Sequence, residues 1–215
     1  MLITVDGIDG SGKTTLAQAL SRGWEERTER QSIYVPSFSV REYTEAYLEL
    51  QDACCIKREK SEALYNLSWF GDAIRSIKNT IEPLLAEDID VFTDRYILSL
   101  MVYPIATTSD PLIRDLFHFY AAVPKPEWGY FLDLDVDVAL SRICKRGIRR
   151  TYYESAPYLT KIRGEYYRQI PTLGYPISVV DAGKSPDEVL GTALDLLMEH
   201  FRYSSKKIGG GSVST

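Results

Sequence analysis

Residues 7–14 read Gly7-Ile8-Asp9-Gly10-Ser11-Gly12-Lys13-Thr14 and fit the pattern G-x-x-x-x-G-K-[ST] of a phosphate-binding loop. Residues 1–5 are mostly apolar or β-branched and predict a buried strand before the loop, and residues 15–20 have apolar side chains at helical spacing after it. In such a setting, glycines let consecutive backbone N–H groups and the helix N-terminus point at a polyphosphate. The alternative is a chance glycine-rich turn. The complete pattern between a strand and a helix favours binding of a nucleoside triphosphate.

Two side chains of the loop have predicted roles that follow from its chemistry. The Lys13 ammonium should reach the β- and γ-phosphates of the nucleoside triphosphate, and the Thr14 hydroxyl should bind Mg²⁺. A loop of this kind alone is compatible with GTPases, motor ATPases and small-molecule kinases. Features elsewhere in the chain must decide between them.

Length and composition indicate one α/β domain, expected to cover residues 1–205 of the 215, with a disordered tail over 206–215. The net charge of −5 disfavours a general nucleic-acid binder, because contact with a phosphate backbone needs a basic surface. No apolar run approaches the roughly 20 residues of a membrane span. The chain enters a predicted strand at once, which leaves no room for a signal peptide, so a cytoplasmic location is expected.

Strand-like and helix-like segments alternate along the chain, which predicts a parallel sheet with helices on both faces. We expect a three-layer α/β/α phosphate-loop NTPase fold with five parallel strands and an arginine-rich lid at about 145–157. Predicted strands after the first are at 32–35, 89–93, 129–134 and 177–181. Predicted helices after the first are at 42–52, 60–87, about 110–122, 137–145, 155–169 and from 185 onward.

Two charged segments point to a kinase. Asp94-Arg95-Tyr96 follows a predicted strand, where Asp94 could accept a proton or organise Mg²⁺ and Arg95 could clamp a phosphate. The stretch 142–150 carries several arginines and a lysine, which a lid over a triphosphate would need. The alternatives are a strand-end salt bridge and a solvated basic helix face. The base-reading motif of guanine-specific switch proteins is not seen, which disfavours a GTPase.

With these segments in view, the chain resembles the thymidylate kinases, which phosphorylate dTMP with ATP. The resemblance spans residues 1 to about 200. It rests on four stretches in the right order: the loop 6–15, the segment 94–103 of form DRY-x-x-S-x-x-x-[YF], the run 124–147 into the lid, and the final strand and turn at 180–189.

The resemblance implies site residues on both nucleotides. Asp9 would lie near the transferring phosphate, Arg95 would grip the acceptor monophosphate, and Trp69 would stack on its base. The implied catalytic residues are Lys13, Asp9, Asp94, Arg95, Arg146 (or the neighbouring Arg149) and Arg150. The implied ATP-binding residues are Gly7, Ile8, Asp9, Gly10, Ser11, Gly12, Lys13, Thr14, Thr15 and Arg142, the last against the adenine. The implied acceptor-binding residues are Trp69, Arg95, Ser99, Tyr103, Phe38 and Arg41, and the implied Mg²⁺ ligands are Thr14 and Asp94.

The acceptor side departs from the family pattern at three positions. Ser37 stands where a variant form of the family has an arginine, Ala73 stands where an arginine reads the thymine edge, and Pro104 replaces a common polar residue. Asn66, Asp72 or Arg75 could compensate; otherwise the acceptor is another nucleotide or a nucleoside. A third reading is a switch module that hydrolyses ATP. The family is commonly homodimeric, so the resemblance also implies a homodimer.

Overall fold

Five parallel strands form one sheet in the order β2-β3-β1-β4-β5. The strands are β1 (Leu2–Gly7), β2 (Ser32–Pro36), β3 (Asp90–Asp94), β4 (Trp128–Asp133) and β5 (Ile177–Asp181). The computed structural model describes residues 1–36, 41–55, 61–109, 115–147 and 154–209, without the side chains of 116 and 202–209. The predicted α/β fold with five parallel strands is confirmed, and each strand lies within one residue of its predicted bounds at either end, apart from the extension of β1 to Gly7.

Strand β1 is central, and all six of its residues are buried. A strand covered on both faces needs apolar side chains on both, which is why this segment reads as a continuous apolar run. Ile3 and Val5 are fully buried in the larger core cluster, whereas Leu2 belongs to the second cluster with Val91. The exceptions in the run are Thr4 and Asp6, both buried polar residues.

Helices cover both faces of the sheet. The α-helices are α1 (Lys13–Thr28), α2 (Glu42–Ala53), α3 (Glu62–Ser76), α4 (Glu82–Ala86), α5 (Ile97–Thr107), α6 (Val136–Lys145), α7 (Ala156–Gln169) and α8 (Pro186–Gly209). Helices α1 and α8 pack together on one face, and α5 and α7 pack together on the other. The three-layer α/β/α arrangement is therefore confirmed.

The helix predicted over 60–87 is present, with a local irregularity that the sequence explains. A π-helical turn, Ile77–Ile81, joins α3 to α4, and the N–H of Glu82 donates to the carbonyl of Ile77 five residues back. Pro83 follows directly. Since proline has no N–H and its ring crowds the carbonyl four residues back, the wider turn lets the chain pass the proline without breaking the helix.

Two parts of the region between β3 and β4 differ from the expectation. Helix α5 was not predicted; it contains Pro104 and buries most of its residues, so it lacks the polar stripe of an amphipathic helix. The segment predicted as helical at about 110–122 forms a 3-10 helix at Leu116–Ala122, and residues 110–114 lie outside the described part of the chain.

The last helix of the described residues, α8, starts with a capping box. The Ser185 N–H and hydroxyl both donate to Glu188 Oε2, and the Glu188 N–H donates back to Ser185 Oγ. Helix α8 continues to Gly209, so residues 206–209 of the predicted disordered tail are helical. Residues 210–215 lie outside the described part of the chain, and the domain bounds stay a prediction. Within the described ranges, none of the helices combines the length and the apolar character that crossing a membrane requires.

Candidate active site

Two glycines shape the loop between β1 and α1, because a side chain at either position would force neighbouring atoms to move. Gly10 has φ +86°, and a Cβ there would lie 2.7 Å from the carbonyl oxygen of Ala139 in α6. Gly7 has φ +153°, and its Cβ would lie 2.8 Å from the carbonyl oxygen of Leu132 in β4. The loop therefore sits directly against the neighbouring elements, and its course to the N-terminus of α1 at Lys13 is fixed by close backbone packing.

Lys13 folds back over this loop. Its Nζ donates a hydrogen bond to the carbonyl oxygen of Ile8 at 2.7 Å and lies 3.8 Å from Asp9 Oδ1. The side chain is 7% exposed. Burial, together with the nearby positive charge of Arg95, lowers the pKa of Lys13 to about 7, although Asp9 and Asp94 oppose the shift. A triphosphate in the loop would favour the charged ammonium.

Asp94, at the end of β3, lies beside the start of α1. The Thr14 hydroxyl donates a hydrogen bond to Asp94 Oδ2, and the Tyr34 hydroxyl donates to Oδ1 at 3.0 Å. Thr14 and Asp94 together provide a hydroxyl and a carboxylate oxygen, which suit Mg²⁺ bound through one or two protein ligands and substrate phosphates. The structure thus brings together the two predicted metal ligands, which lie 80 residues apart in sequence.

Arg95 is held in an unusual conformation at the junction of β3 and α5. Its φ is +65°, in the left-handed region that non-glycine residues rarely adopt. Its backbone N–H donates to the carbonyl of Val5 at 2.9 Å, and its Nη2 forms an ion pair with Asp9. Burial would raise the pKa of Asp9, but the positive charges of Arg95, Lys13 and Arg146 lower it below its usual value. Arg146 thus acts electrostatically on the loop.

Aromatic side chains extend this site away from the loop. The Arg95 guanidinium lies 4.8 Å from the ring centroid of Tyr103, and the Tyr103 ring lies 5.7 Å from that of Trp69. Arg95 Nη1 and the Tyr103 hydroxyl are buried without a hydrogen-bond partner among the described residues. A phosphate at Arg95 and a base against Trp69 would therefore occupy neighbouring positions.

Ser99 contributes differently from the other residues predicted on the acceptor side. It is fully buried, donates a hydrogen bond to Asp6, and lies 2.8 Å from the hydroxyl of Tyr166. Ser99 thus supports the frame behind Arg95. Arg41 is exposed at the start of α2. Phe38, Arg149 and Arg150, like Ser37, lie outside the described residues.

Ala73, which stands in place of the base-reading arginine, is 4% exposed within the second core cluster. The three residues considered as substitutes for that arginine form contacts with other parts of the protein. Arg75 forms an ion pair with Glu42. Asp72 accepts hydrogen bonds from the N–H groups of Tyr43 and Thr44 at 2.9 Å, and the Asn66 amide donates to Thr107 at 3.1 Å.

On the opposite side of the loop, Arg142 of α6 donates a hydrogen bond to the carbonyl oxygen of Ala182 at 3.0 Å. Ala182 follows β5, so this arginine borders the turn where an adenine would be expected. A second arginine, Arg163 of α7, binds Asp133 at the end of β4 through two hydrogen bonds of 2.6 and 2.8 Å. This pair fixes α7, the helix after the predicted lid, to the sheet edge.

Sequence reasoning missed Tyr34, Asp6 and Tyr166 as parts of this site. Tyr34 reaches Asp94 because β2 pairs with β3 in parallel, with Pro36 opposite Asp94. Asp6 belongs to the stretch 6–15 that resembles the family, but no role was predicted for its side chain. Tyr166 had no signal beyond its place in a tyrosine-rich helix.

Comparison with known proteins agrees with this geometry. The sequence model of the family described as thymidylate kinase matches residues 5–192. A probable thymidylate kinase of Pyrobaculum aerophilum is 29% identical over 94% of this chain and 98% of its own length. A probable thymidylate kinase of Halorubrum lacusprofundi is 30% identical over 93% of this chain and 98% of its own length. A thymidylate kinase of Leptospira borgpetersenii is 26% identical over 94% of this chain and 95% of its own length. The resemblance inferred from the motifs is confirmed, and the chain belongs to the thymidylate kinase family.

Proposed function

We propose that this chain transfers the γ-phosphoryl group of ATP to dTMP, giving ADP and dTDP. The observation that carries the proposal is the convergence of Lys13, the Thr14–Asp94 pair and the Arg95–Asp9 pair at one edge of the sheet. Lys13 and the loop N–H groups would bind the donor phosphates, and Arg95 would bind the acceptor monophosphate. Asp9 contacts both cations, so it couples the position of the donor to that of the acceptor.

Phosphoryl transfer depends mainly on positioning and on positive charge around the transferring group. Thr14 and Asp94 would hold Mg²⁺, which neutralises charge on the β- and γ-oxygens when bound. Lys13 and Arg95 provide two further cations, both paired with Asp9 Oδ1, and Arg146 lies close enough to lower the pKa of that carboxyl. Arg150, with the neighbouring Arg149, is proposed to complete this set from the lid.

A related acceptor is a second candidate function, favoured by one specific observation. Ala73 packs into the core, Arg75 pairs with Glu42, and Asp72 binds the start of α2. A buried base edge without a partner is costly, so recognition of thymine would need donors from elsewhere in the site. Another pyrimidine nucleotide or a nucleoside is the alternative acceptor.

The decisive experiment is a coupled assay of ADP release with dTMP, dUMP, dCMP, dGMP and thymidine. Rapid, Mg²⁺-dependent turnover of dTMP is expected. Turnover of another acceptor without dTMP would support the second candidate. ADP release without any acceptor, and no transfer, would instead indicate an ATP-hydrolysing switch.

The Lys13→Ala variant tests the donor site in the same assay. Loss of the ammonium should reduce turnover by at least about 100-fold, the scale expected for one preorganised charge at the transferring group. Lys125→Ala is the matched control, because Lys125 is exposed next to the opposite end of β4. Near-normal turnover of Lys13→Ala would contradict the assignment of the loop.

We also propose that the protein acts as a homodimer in the cytoplasm. Exposed apolar side chains on α2 and α3, at Tyr43, Leu50 and Leu64, offer surface that a second copy could cover. Light scattering of the purified protein should give about twice the chain mass. A single-chain mass at micromolar concentration would exclude the dimer.

A further inference from the structure

Asp6 is a buried carboxylate of β1 that caps the start of helix α5. It is 1% exposed, and its Oδ1 accepts hydrogen bonds from the N–H of Ser99 at 3.1 Å, the N–H of Tyr96 at 3.3 Å and the Ser99 hydroxyl. The first N–H groups of a helix have no partner within the helix. Asp6 provides that partner for α5, 90 residues away in sequence.

Buried polar contacts lead from Asp6 back to the phosphate-binding loop. The Tyr166 hydroxyl lies 2.8 Å from Ser99 Oγ and 3.2 Å from the carbonyl oxygen of Gly7. Because the Ser99 proton is donated to Asp6, the single proton of Tyr166 is donated to one of these two oxygens at a time. Asp6 and Gly7 are adjacent residues of β1, so these contacts run from β1 through Ser99 of α5 and Tyr166 of α7 and return to β1. Every side chain in these contacts is buried. The contacts therefore fix the positions of β1, α5 and α7 relative to one another.

Arg95 lies between the two points where β1 holds the start of α5. Its own N–H donates to Val5, and the next N–H, of Tyr96, donates to Asp6. Between them the backbone of Arg95 adopts φ +65°. A residue keeps such a conformation only where its surroundings impose it. The Arg95 guanidinium then reaches Asp9 and the ring of Tyr103.

We propose that Asp6 is a positioning residue for the acceptor phosphate: by capping α5 it fixes the left-handed backbone of Arg95 and so aims the guanidinium at the acceptor. Asp6 itself need not touch either nucleotide. The proposal rests on the proposed function, because it assumes that Arg95 binds the acceptor monophosphate.

Steady-state kinetics of Asp6→Ala and Asp6→Asn test this role. Asp6→Ala removes all three hydrogen bonds that Asp6 Oδ1 accepts from the start of α5. We expect the KM for the phosphate acceptor to rise at least tenfold while the KM for ATP stays within twofold. Asp6→Asn keeps an oxygen at the position of Oδ1 and should recover most of the acceptor KM. The matched control is Asp90→Ala, a buried carboxylate at the opposite end of β3. It should lower the melting temperature without changing either KM.

Two results would overturn the proposal: an unchanged acceptor KM in Asp6→Ala, or an equal rise in both KM values. If Asp6→Ala fails to fold, Ser99→Ala removes one of the three hydrogen bonds by which Asp6 holds α5 and so weakens the cap. A smaller rise in acceptor KM, of at least threefold at constant ATP KM, is then the expected result. No rise would contradict the proposal. If the wild-type protein does not use dTMP, the proposed function fails by itself, and the same comparison is made with the acceptor that the panel identifies.

Discussion

Lys13 illustrates how burial changes a single residue in this site. Its pKa is lowered to about 7 by burial and by Arg95, against the opposing effect of Asp9 and Asp94. In the free protein the ammonium therefore loses its proton as pH rises through about 7, although a lysine in water stays charged to about pH 10. Polyphosphate binding favours the charged form, so binding above pH 7 must take up a proton.

We therefore expect the affinity for ATP to fall as pH rises from 7 to 9. Calorimetry at pH 8 in buffers of different ionisation enthalpy should detect uptake of a proton on binding. Lys13→Arg is the matched control, because a guanidinium keeps its charge throughout this range and should remove most of the uptake. Wild-type binding that is independent of pH between 7 and 9, with no proton uptake, would contradict the lowered pKa.

Gly10 gives a second prediction at this scale. An alanine there would have both a strained backbone, at φ +86°, and a Cβ 2.7 Å from the Ala139 carbonyl oxygen. Gly12 has φ +90° but no atom within 4 Å of its Cβ position. Strain of this kind costs about 1–3 kcal/mol, and only Gly10→Ala adds the steric clash. Chemical denaturation should find Gly10→Ala less stable than Gly12→Ala; equal values would mean that α6 moves away freely.

At the scale of the element, the sequence predicted helices and strands whose hydrophobic pattern lies within the segment itself. It missed features that depend on packing against other segments of the fold. The strands were predictable because each is a short apolar run, and α6 because its apolar residues follow one face. Helix α5 was missed since it is buried nearly all round and contains Pro104. The π-turn at Ile77–Ile81 could not be located from Pro83 alone. The contact between Tyr34 and Asp94 needs the register of β2 against β3.

Helix α2 depends on a contact of this kind. The Asp72 side chain of α3 accepts hydrogen bonds from the N–H groups of Tyr43 and Thr44 and, at 2.6 Å, from the Thr44 hydroxyl. Thr44 is 2% exposed. Asp72→Ala should therefore leave buried donors unpaired and cost about 2–4 kcal/mol of unfolding free energy, at roughly 1–3 kcal/mol for each donor that finds no water.

The control for Asp72→Ala is Asp52→Ala, which removes an exposed carboxylate from the last turn of α2. Urea denaturation of both variants provides the measurement. A surface substitution of this type usually changes stability by less than about 0.5 kcal/mol. If the two variants are equally stable, Asp72 does not hold the start of α2 in solution.

At the scale of the whole molecule, the two ends of the sheet have different tasks. The carboxyl ends of β1 and β3 carry Gly7 and Asp94, as expected for ligand binding in an open parallel sheet. That much followed from the order of elements, because parallel strands bring their carboxyl ends to one edge. The amino ends instead carry a structural cluster around Asp90, which gave no sequence signal because its partners come from the N-terminus, α1 and the segment before β2.

Asp90 is buried and binds the Trp24 indole N–H at 2.8 Å, Arg30 Nε at 2.7 Å and the Met1 ammonium at 3.1 Å. Burial alone would raise the pKa of Asp90, but the hydrogen bonds from Arg30, Trp24 and the N-terminus lower it below the usual value of 3.8. A carboxyl whose pKa is lower in the folded state contributes stability above its unfolded pKa. That contribution is lost as pH falls through the folded pKa.

Asp90→Asn should therefore lower the unfolding free energy by about 2–3 kcal/mol at pH 7, somewhat less than for a fully buried pair because Arg30 is partly exposed. The difference from the wild type should persist down to about pH 4 and shrink below it, as the wild-type carboxyl becomes protonated. Denaturation curves between pH 2 and 7 measure this difference. Activity per folded molecule should be unchanged, because Asp90 and the phosphate-binding loop lie at opposite ends of the sheet. A destabilisation that stays constant down to pH 2 would show that the charge of Asp90 does not stabilise the fold.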